Sequence, residues 1–450
     1  MKILKVIHGY PTRYNAGSEI YSQTLCHELA KQGHEVIVFT RQENAYKQEY
    51  SMDWEFDPMC QEIKICLINM AHGKDGYRHP EVDRAFSQLL DACEPDVVHV
   101  GHLNHLSTSL VFEANYRNIP VVFTLHDFWL MCPRGQFLQG IHSKTEDLYP
   151  SCDSQQDEKC AKQCYWRYFS SPEDQEDIKY WTNWVGKRME HVREITSLVD
   201  LFIAPSRYLM NRFVKDFDVD ISKIVYLDYG FQRERLMGRN RKKEKDFVFG
   251  YIGTHKQAKG IFHLLQAFKE TYQNAQLKIW GAPVQPFTQS LQSYIMTMDP
   301  VAQSRIFWMG SYRNQMLIEE VFNHVDAIVV PSIWGENSPL VIHEALEAKV
   351  PIITADFGGM GEYVHHEMNG LLFNFRNPKS LAEQMTRIVS DPQIALKIGN
   401  GGYLQSDDRR IPSIQTHVEQ VVKLYSIAIK QRKKHEDRTS RKTRPLAYHI

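Results

Sequence analysis

Glu336 and Glu344 stand seven residues apart in the stretch 326–364, DAIVVPSIWGENSPLVIHEALEAKVPIITADFGGMGEYV. Carboxylates accept hydrogen bonds from hydroxyls. Eight residues at helical rise span about 12 Å, and a loop between them shortens that, so the pair suits an elongated hydroxylated ligand held at two points. By spacing alone, such a pair is more often a solvated loop charge and a capped surface residue. Three other places could carry chemistry. Gly17-Ser18 precedes a helix, His126-Asp127 follows an apolar strand, and Lys259-Gly260 opens a second helix. A glycine-bearing turn or a lysine at a helix start is a place to put a phosphate. A lone His after a strand is more often structural than catalytic.

The elements that must position these residues read as α/β. Ala327 to Val330 is a buried strand, ended by Pro331-Ser332. Ser338 has the chemistry of an N-cap and Pro339 that of a first helical residue. The helix then carries Leu340, Val341, Ile342, Ala345 and Leu346 until Pro351 stops it. Pro351 to Ala355 is the next strand, and Gly358-Gly359-Met360-Gly361 a turn. Strand, loop, helix, strand and glycine turn make a unit of a parallel sheet, whose strand ends hold ligands.

At 450 residues the chain exceeds one ordinary core, so two domains are expected. A hydrophobic fraction of 43% and a charged fraction of 24% are those of a globular protein, and a net charge of -1 gives no reason to expect nucleic acid. No apolar run approaches the ~18 residues of a membrane span. The N-terminal run lacks a signal peptide's apolar region, so a cytoplasmic, reducing setting is expected.

In the first half, strands are expected at 2–7, 34–40, 96–100, 121–125, 201–206 and 224–227, with helices over 20–32 and 178–198. The second helix bears Tyr180, Trp181 and Trp184 beside basic residues, a pattern that packs on a domain or touches a lipid surface. Residues 132–164 interrupt the rhythm. Their Cys132, Cys152, Cys160 and Cys164 could complete a structural zinc site or be reduced thiols in an insertion. Residues 233–246 carry seven basic and three acidic residues without apolar periodicity, and read as the linker. The second half continues with strands over 247–252, 276–281 and 305–310, helices within 378–400, and a last helix over 414–430. From Lys430 to Arg444 eight Lys/Arg face only Glu436 and Asp437, a solvated tail or an attachment to anionic lipid.

Pro331-Ser332, Glu336, Glu344-Ala345, Pro351 and Gly358-Gly359…Glu362 together resemble the donor-site segment of the retaining, nucleotide-sugar-dependent glycosyltransferases of family 4. The resemblance extends over most of residues 1–410. It implies the GT-B arrangement, two Rossmann-like domains facing each other across a cleft. The acceptor-side domain would be residues 1–232, with the cysteine-bearing insertion at 132–164, and the nucleotide-sugar domain 247–410. A helix over 411–430 would cross back, ahead of a basic tail over 431–450. The implied reaction moves a hexose from a nucleoside-diphosphate sugar to an acceptor hydroxyl with retention, in cell-surface polysaccharide or glycolipid synthesis at the inner membrane face.

By the same resemblance His126 approaches the donor sugar, with Asp127 as its orienter. Lys259, Gly17, Ser18 and the backbone from Ser338 through Pro339 to Leu340 address the diphosphate. Glu336 faces the hexose, Asn337 is a further donor-binding residue, and Glu344 takes the ribose hydroxyls. Catalysis then requires no metal, since the departing phosphate takes the acceptor's proton. Two departures stand out. Ser18 replaces a second glycine, and Thr254 stands where the family has an arginine, leaving His255 or Lys256 to supply that cation. Arg134 is a further contact for acceptor or phosphate. An epimerase on the same fold and a catalytically silent binding subunit are the rival readings.

Overall fold

The computed structural model describes residues 1–72, 76–140, 149–171, 174–242 and 244–442. The first half forms an eight-stranded sheet from β1 (Lys2–Val6), β2 (Glu35–Gln42), β3 (Met52–Asp57), β4 (Cys60–Asn69), β5 (Val97–Val100), β6 (Val121–Thr124), β7 (Leu201–Ala204) and β8 (Ile224–Tyr226). Their order is β3-β4-β2-β1-β5-β6-β7-β8. All pairings are parallel except that of β3 with β4. The central strands are almost wholly buried because helices cover both faces, and they are mostly apolar apart from Lys5 and His99. The β3–β4 hairpin escapes the sequence reading because its polar, half-exposed edge carries no continuous apolar run.

The second half forms a six-stranded parallel sheet from β9 (Phe247–Ile252), β10 (Ala275–Trp280), β11 (Ile306–Gly310), β12 (Ala327–Val330), β13 (Ile352–Ala355) and β14 (Leu371–Phe373). The order is β11-β10-β9-β12-β13-β14. β9 and β12 are adjacent though far apart in sequence, so the crossover direction changes there. A crevice outside the strand ends is expected at such a place.

The two sheets meet through the loops at their C-terminal strand ends. Glu362 accepts backbone N–H groups of Arg207 and Tyr208, both at 2.9 Å, and so caps a helix of the first domain (Arg207–Phe217). The Tyr363 hydroxyl donates to Pro205 O at 2.5 Å. The basic segment after β8 is partly exposed, but its arginines engage the second domain. Arg239 donates to the carbonyls of Phe322, Val325 and Lys349, and Arg241 pairs with Asp326 at 2.8 Å. Its guanidiniums satisfy carbonyls at element ends of the second domain, a use that charge pattern alone cannot reveal.

The last helix runs from Ile414 to Lys442, past the expected stop at Lys430. It lies against the first domain, where Tyr425 meets His99 Nδ1 at 2.6 Å, His417 meets Tyr21 at 2.9 Å and Arg432 donates to Asp200 at 2.6 Å. The end of the basic tail, residues 443–450, lies outside the described residues, as do residues 141–148 of the insertion. No helix among the described residues is long and apolar enough to cross a membrane.

Candidate active site

Lys259 ends a short turn after β9, and Glu336 sits in the loop after β12. Lys259 Nζ donates to Glu336 Oε1 at 2.7 Å. Ser332 Oγ and Trp334 Nε1 donate to the same oxygen at 2.6 and 3.0 Å. Glu336 is 6% exposed, so a buried carboxylate is held by one cation and two neutral donors. What lets Lys259 reach this loop is Gly260. Its φ is +69°, and a Cβ there would lie 1.8 Å from Pro331 O.

Glu344 lies on the helix Leu340–Glu347, also buried, and accepts from Arg235 of the connecting segment. Arg235 also donates to Asn314 O at 2.9 Å. The sequence reading missed Arg235 because it sits in a run taken for a linker. It brings a guanidinium to the end of the site where the resemblance places the nucleotide. The residues expected to replace the family arginine are less suited. His255 is buried, with Nδ1 3.3 Å from Thr288 Oγ1, and Lys256 is exposed.

Two expectations about the intervening loop need correcting. Ser338 does not cap the helix. Pro339 occupies the cap position, and Ser338 Oγ donates across the domain junction to Asp228 at 3.0 Å. Asn337 has both ends of its amide committed to the first domain. It accepts from Ser206 Oγ at 2.7 Å and donates to Leu125 O at 3.2 Å. Buried polar groups take whatever partner the opposite domain offers, and a local spacing rule cannot see that domain. Gly358 to Tyr363, expected as a turn, is a short helix whose Gly359 N–H donates to Glu336 O at 2.7 Å.

On the first domain, His126 follows β6. Its Nδ1 meets the Tyr229 hydroxyl at 2.6 Å, and its Nε2 is buried without a partner. Burial, with Lys5 nearby, pushes its pKa well below the ordinary value, so the imidazole is neutral. Asp127 is not its orienter. It faces His102, whose Nε2 is 3.3 Å from both carboxylate oxygens. Ser18 Oγ donates to Glu19 at 2.7 Å. Gly17 faces the donor helix, and a Cβ there would meet only the Leu340 side chain at 3.5 Å.

The insertion draws Cys132, Cys152, Cys160 and Cys164 towards one another. Burial, with the neighbouring thiols adding to it, pushes Cys160 up to about 12. All eight cysteines are free thiols. Among the described residues, no three His, Cys, Asp or Glu side chains are arranged to hold a metal ion. Arg134 packs its guanidinium over Tyr149, 5.3 Å from the ring centre, within the same insertion.

Residues 16–235 match the model of Glycosyltransferase Family 4, and residues 232–405 that of Glycosyl transferases group 1. The two adjoin and together span most of the chain. It is a glycosyltransferase of the GT-B fold. An uncharacterized glycosyltransferase of Methanocaldococcus jannaschii is 23% identical over 405 residues, 87% of this chain and 90% of its own. The capsular polysaccharide biosynthesis glycosyltransferase CapM of Staphylococcus aureus is 24% identical over 250 residues, 51% of this chain and 62% of its own. The crystal structure of Anabaena HepE in complex with UDP-glucose superposes with a TM-score of 0.67 at 16% identity. It covers 95% of this chain and 99% of the other.

Proposed function

We propose that this glycosyltransferase moves a hexose from a nucleoside-diphosphate sugar to an acceptor hydroxyl with retention at the anomeric carbon, in the synthesis of a surface polysaccharide or glycolipid. The observation that carries the reading is the pair of cation-held carboxylates, Lys259–Glu336 and Arg235–Glu344, opening from the strand ends of the second domain. They face the neutral His126 of the first. Glu344 would take the ribose hydroxyls and Glu336 the hexose. Lys259 would meet the diphosphate, aided by the backbone around Ser338 to Leu340 and the Gly17-Ser18 turn.

In the reaction, the bond from the anomeric carbon to the diphosphate breaks as the bond to the acceptor oxygen forms. The acceptor's proton passes to the departing phosphate. Fixed donors aimed at that phosphate supply the stabilisation, because charge develops there in the transition state. No step needs a resident metal, and the four thiols play no part in transfer. A relative that serves capsular polysaccharide synthesis supports the acceptor class, and the basic end of the chain suits peripheral contact with anionic lipid.

The deciding experiment compares two variants against product and donor. The nucleoside diphosphate keeps the ribose and lacks the hexose. Glu344→Ala should weaken binding of both, by tenfold or more for a charge-assisted bond worth about 1.5–3 kcal/mol. Glu336→Ala should spare product binding and lower turnover. Full activity in both variants would overturn the reading. Nucleoside diphosphate release measured with and without acceptor separates transfer from epimerisation and from silent binding.

A further inference from the structure

The C-terminal ends of β1, β5 and β6 and the start of the first helix bring four side chains into a row that the donor reaction does not use. Glu19 Oε1 lies 3.3 Å from His8 Nε2. The rings of His8 and His102 are 4.5 Å apart. His102 Nε2 lies 3.3 Å from Asp127. The row adjoins the donor site at both ends, since Glu19 follows Gly17-Ser18 and Asp127 follows His126.

The contacts fix the tautomers. His102 Nδ1 accepts the Asn104 N–H at 3.0 Å, so its proton is on Nε2, directed at Asp127. His8 Nε2 faces the Glu19 carboxylate, so its proton is on that nitrogen. His8 Nδ1 is then a bare lone pair, buried without a partner among the described residues. An acceptor atom left so is costly unless something donates to it. Its surroundings say what that can be. The negative charges that act on His8 are the carboxylates of Glu19, on its other nitrogen, and of Asp127, beyond His102; they disfavour an anion, and only a group with an O–H or N–H satisfies the lone pair.

We infer that His8, oriented by Glu19, accepts a hydrogen bond from a hydroxyl of the acceptor, and that the acceptor at this point is a neutral, hydroxyl-bearing sugar. The inference rests on the transferase reading above and adds the acceptor subsite to it. His8 is a binding residue here, and the proton of the reacting hydroxyl still leaves with the phosphate. Burial, followed by the charge of His102, lowers the His8 pKa, while Glu19 and Asp127 act the other way. Arg41 approaches from β2, donating to the His8 carbonyl at 2.9 Å. The net effect keeps His8 neutral at pH 7 and able to accept.

The test uses the full chain, a nucleoside-diphosphate sugar that it turns over, and neutral and phosphorylated sugars as acceptors. His8→Gln keeps a donor near Glu19 and loses the Nδ1 position. His8→Asn keeps an oxygen near that position. The KM for a neutral acceptor should rise about tenfold in His8→Gln and be largely rescued in His8→Asn. Nucleoside diphosphate affinity should stay unchanged in both. In the wild type, kcat/KM for acceptor should fall as pH drops through the lowered His8 value, and His8→Asn should lose that limb. Should His8→Gln not fold, Glu19→Gln asks the same question, because losing the carboxylate should move the acid limb to lower pH. An unchanged acceptor KM, an unmoved limb, or a preference for phosphorylated over neutral acceptors would each overturn the assignment. Lost nucleotide affinity would instead place His8 in the donor site. Absence of turnover by the wild type with any acceptor would count against the transferase reading, which the nucleotide-binding arm reports separately.

Discussion

Arg235 ties Glu344 to the loop that holds Asn314, donating through one guanidinium nitrogen to Glu344 Oε1 and through the other to the Asn314 carbonyl. The arginine lies in the segment between the domains, and both acceptors belong to the second domain. Its fork fixes the carboxylate before any ligand arrives and ties it to the loop beyond β11. Where the family has an arginine after the β9 glycine, this chain has Thr254, and Arg235 is the cation nearest in role.

Arg235→Ala should therefore weaken nucleoside diphosphate binding by about tenfold, the loss expected for one charge-assisted bond. Arg235→Lys should recover little, because a single ammonium cannot bridge Glu344 and Asn314 together. Calorimetric titration with the nucleoside diphosphate measures both. Affinity equal to the wild type in the alanine variant would remove Arg235 from the site.

In the proposed reading Lys259 would address the phosphates common to product and donor, so Lys259→Ala should weaken both alike. Its removal leaves the buried Glu336 carboxylate with Ser332 and Trp334 as donors but without its counter-charge, so the melting temperature should fall as well. A selective loss for intact donor alone would place Lys259 at the hexose instead.

The alternating strands and helices were legible because buried parallel strands such as β12 are apolar throughout. The β3–β4 edge was not, since its exposure removes that signal. Glu336 and Lys259 were singled out only with the family resemblance, because spacing alone favours a solvated loop charge. Arg235 was not legible, and neither were the true partners of Asn337, Ser338 and Asp127. The partners of Asn337 and Ser338 are fixed by the meeting of two domains and that of Arg235 by the fold of the connecting segment, each more than a hundred positions away, while Asp127 meets His102 from the next strand end. A capping rule correctly saw that Ser338 wants a partner and wrongly supplied the nearest one.

Two glycines near the phosphates should respond oppositely to alanine. Gly260 has a left-handed backbone and a Cβ position inside the Pro331 carbonyl, so Gly260→Ala combines strain of about 1–2 kcal/mol with a steric clash. Thermal unfolding should show a clear loss of stability. At Gly17 the added methyl meets only Leu340 at ordinary contact distance, so Gly17→Ala should fold normally. Any loss of nucleoside diphosphate affinity there would reflect the ligand's approach to the backbone. A Gly260→Ala protein as stable as the wild type would contradict the packing described.

The last prediction concerns the junction itself. His343 of the donor helix and Asp228 after β8 are both buried, and their side chains meet at 2.8 Å. Tyr403 and Ser338 also donate to Asp228, at 2.7 and 3.0 Å. Burial alone would lower His343, but the Asp228 carboxylate outweighs it and raises the imidazole above its ordinary value. Burial alone would raise Asp228, but His343 and the hydroxyls outweigh it and hold the carboxyl below the usual range. A group raised on folding stabilises fully below its unfolded value, about 6.5 for His, and loses that contribution as pH rises through the folded value. A group lowered on folding stabilises above its unfolded value, about 3.9 for Asp, and loses it as pH falls through the folded one. The pair should therefore support the junction most between about pH 4 and 6.5, and the wild-type melting temperature should decline towards pH 8.5 as His343 loses its proton. His343→Gln should be less stable at pH 6 and show a smaller decline between pH 6 and 8.5. Asp228→Asn should cost about 3–5 kcal/mol, because it leaves the buried imidazolium without its counter-charge. Calorimetric melting at the two pH values decides the matter: if His343→Gln declines as steeply as the wild type, the His343 charge is not what ties the donor helix to the first domain.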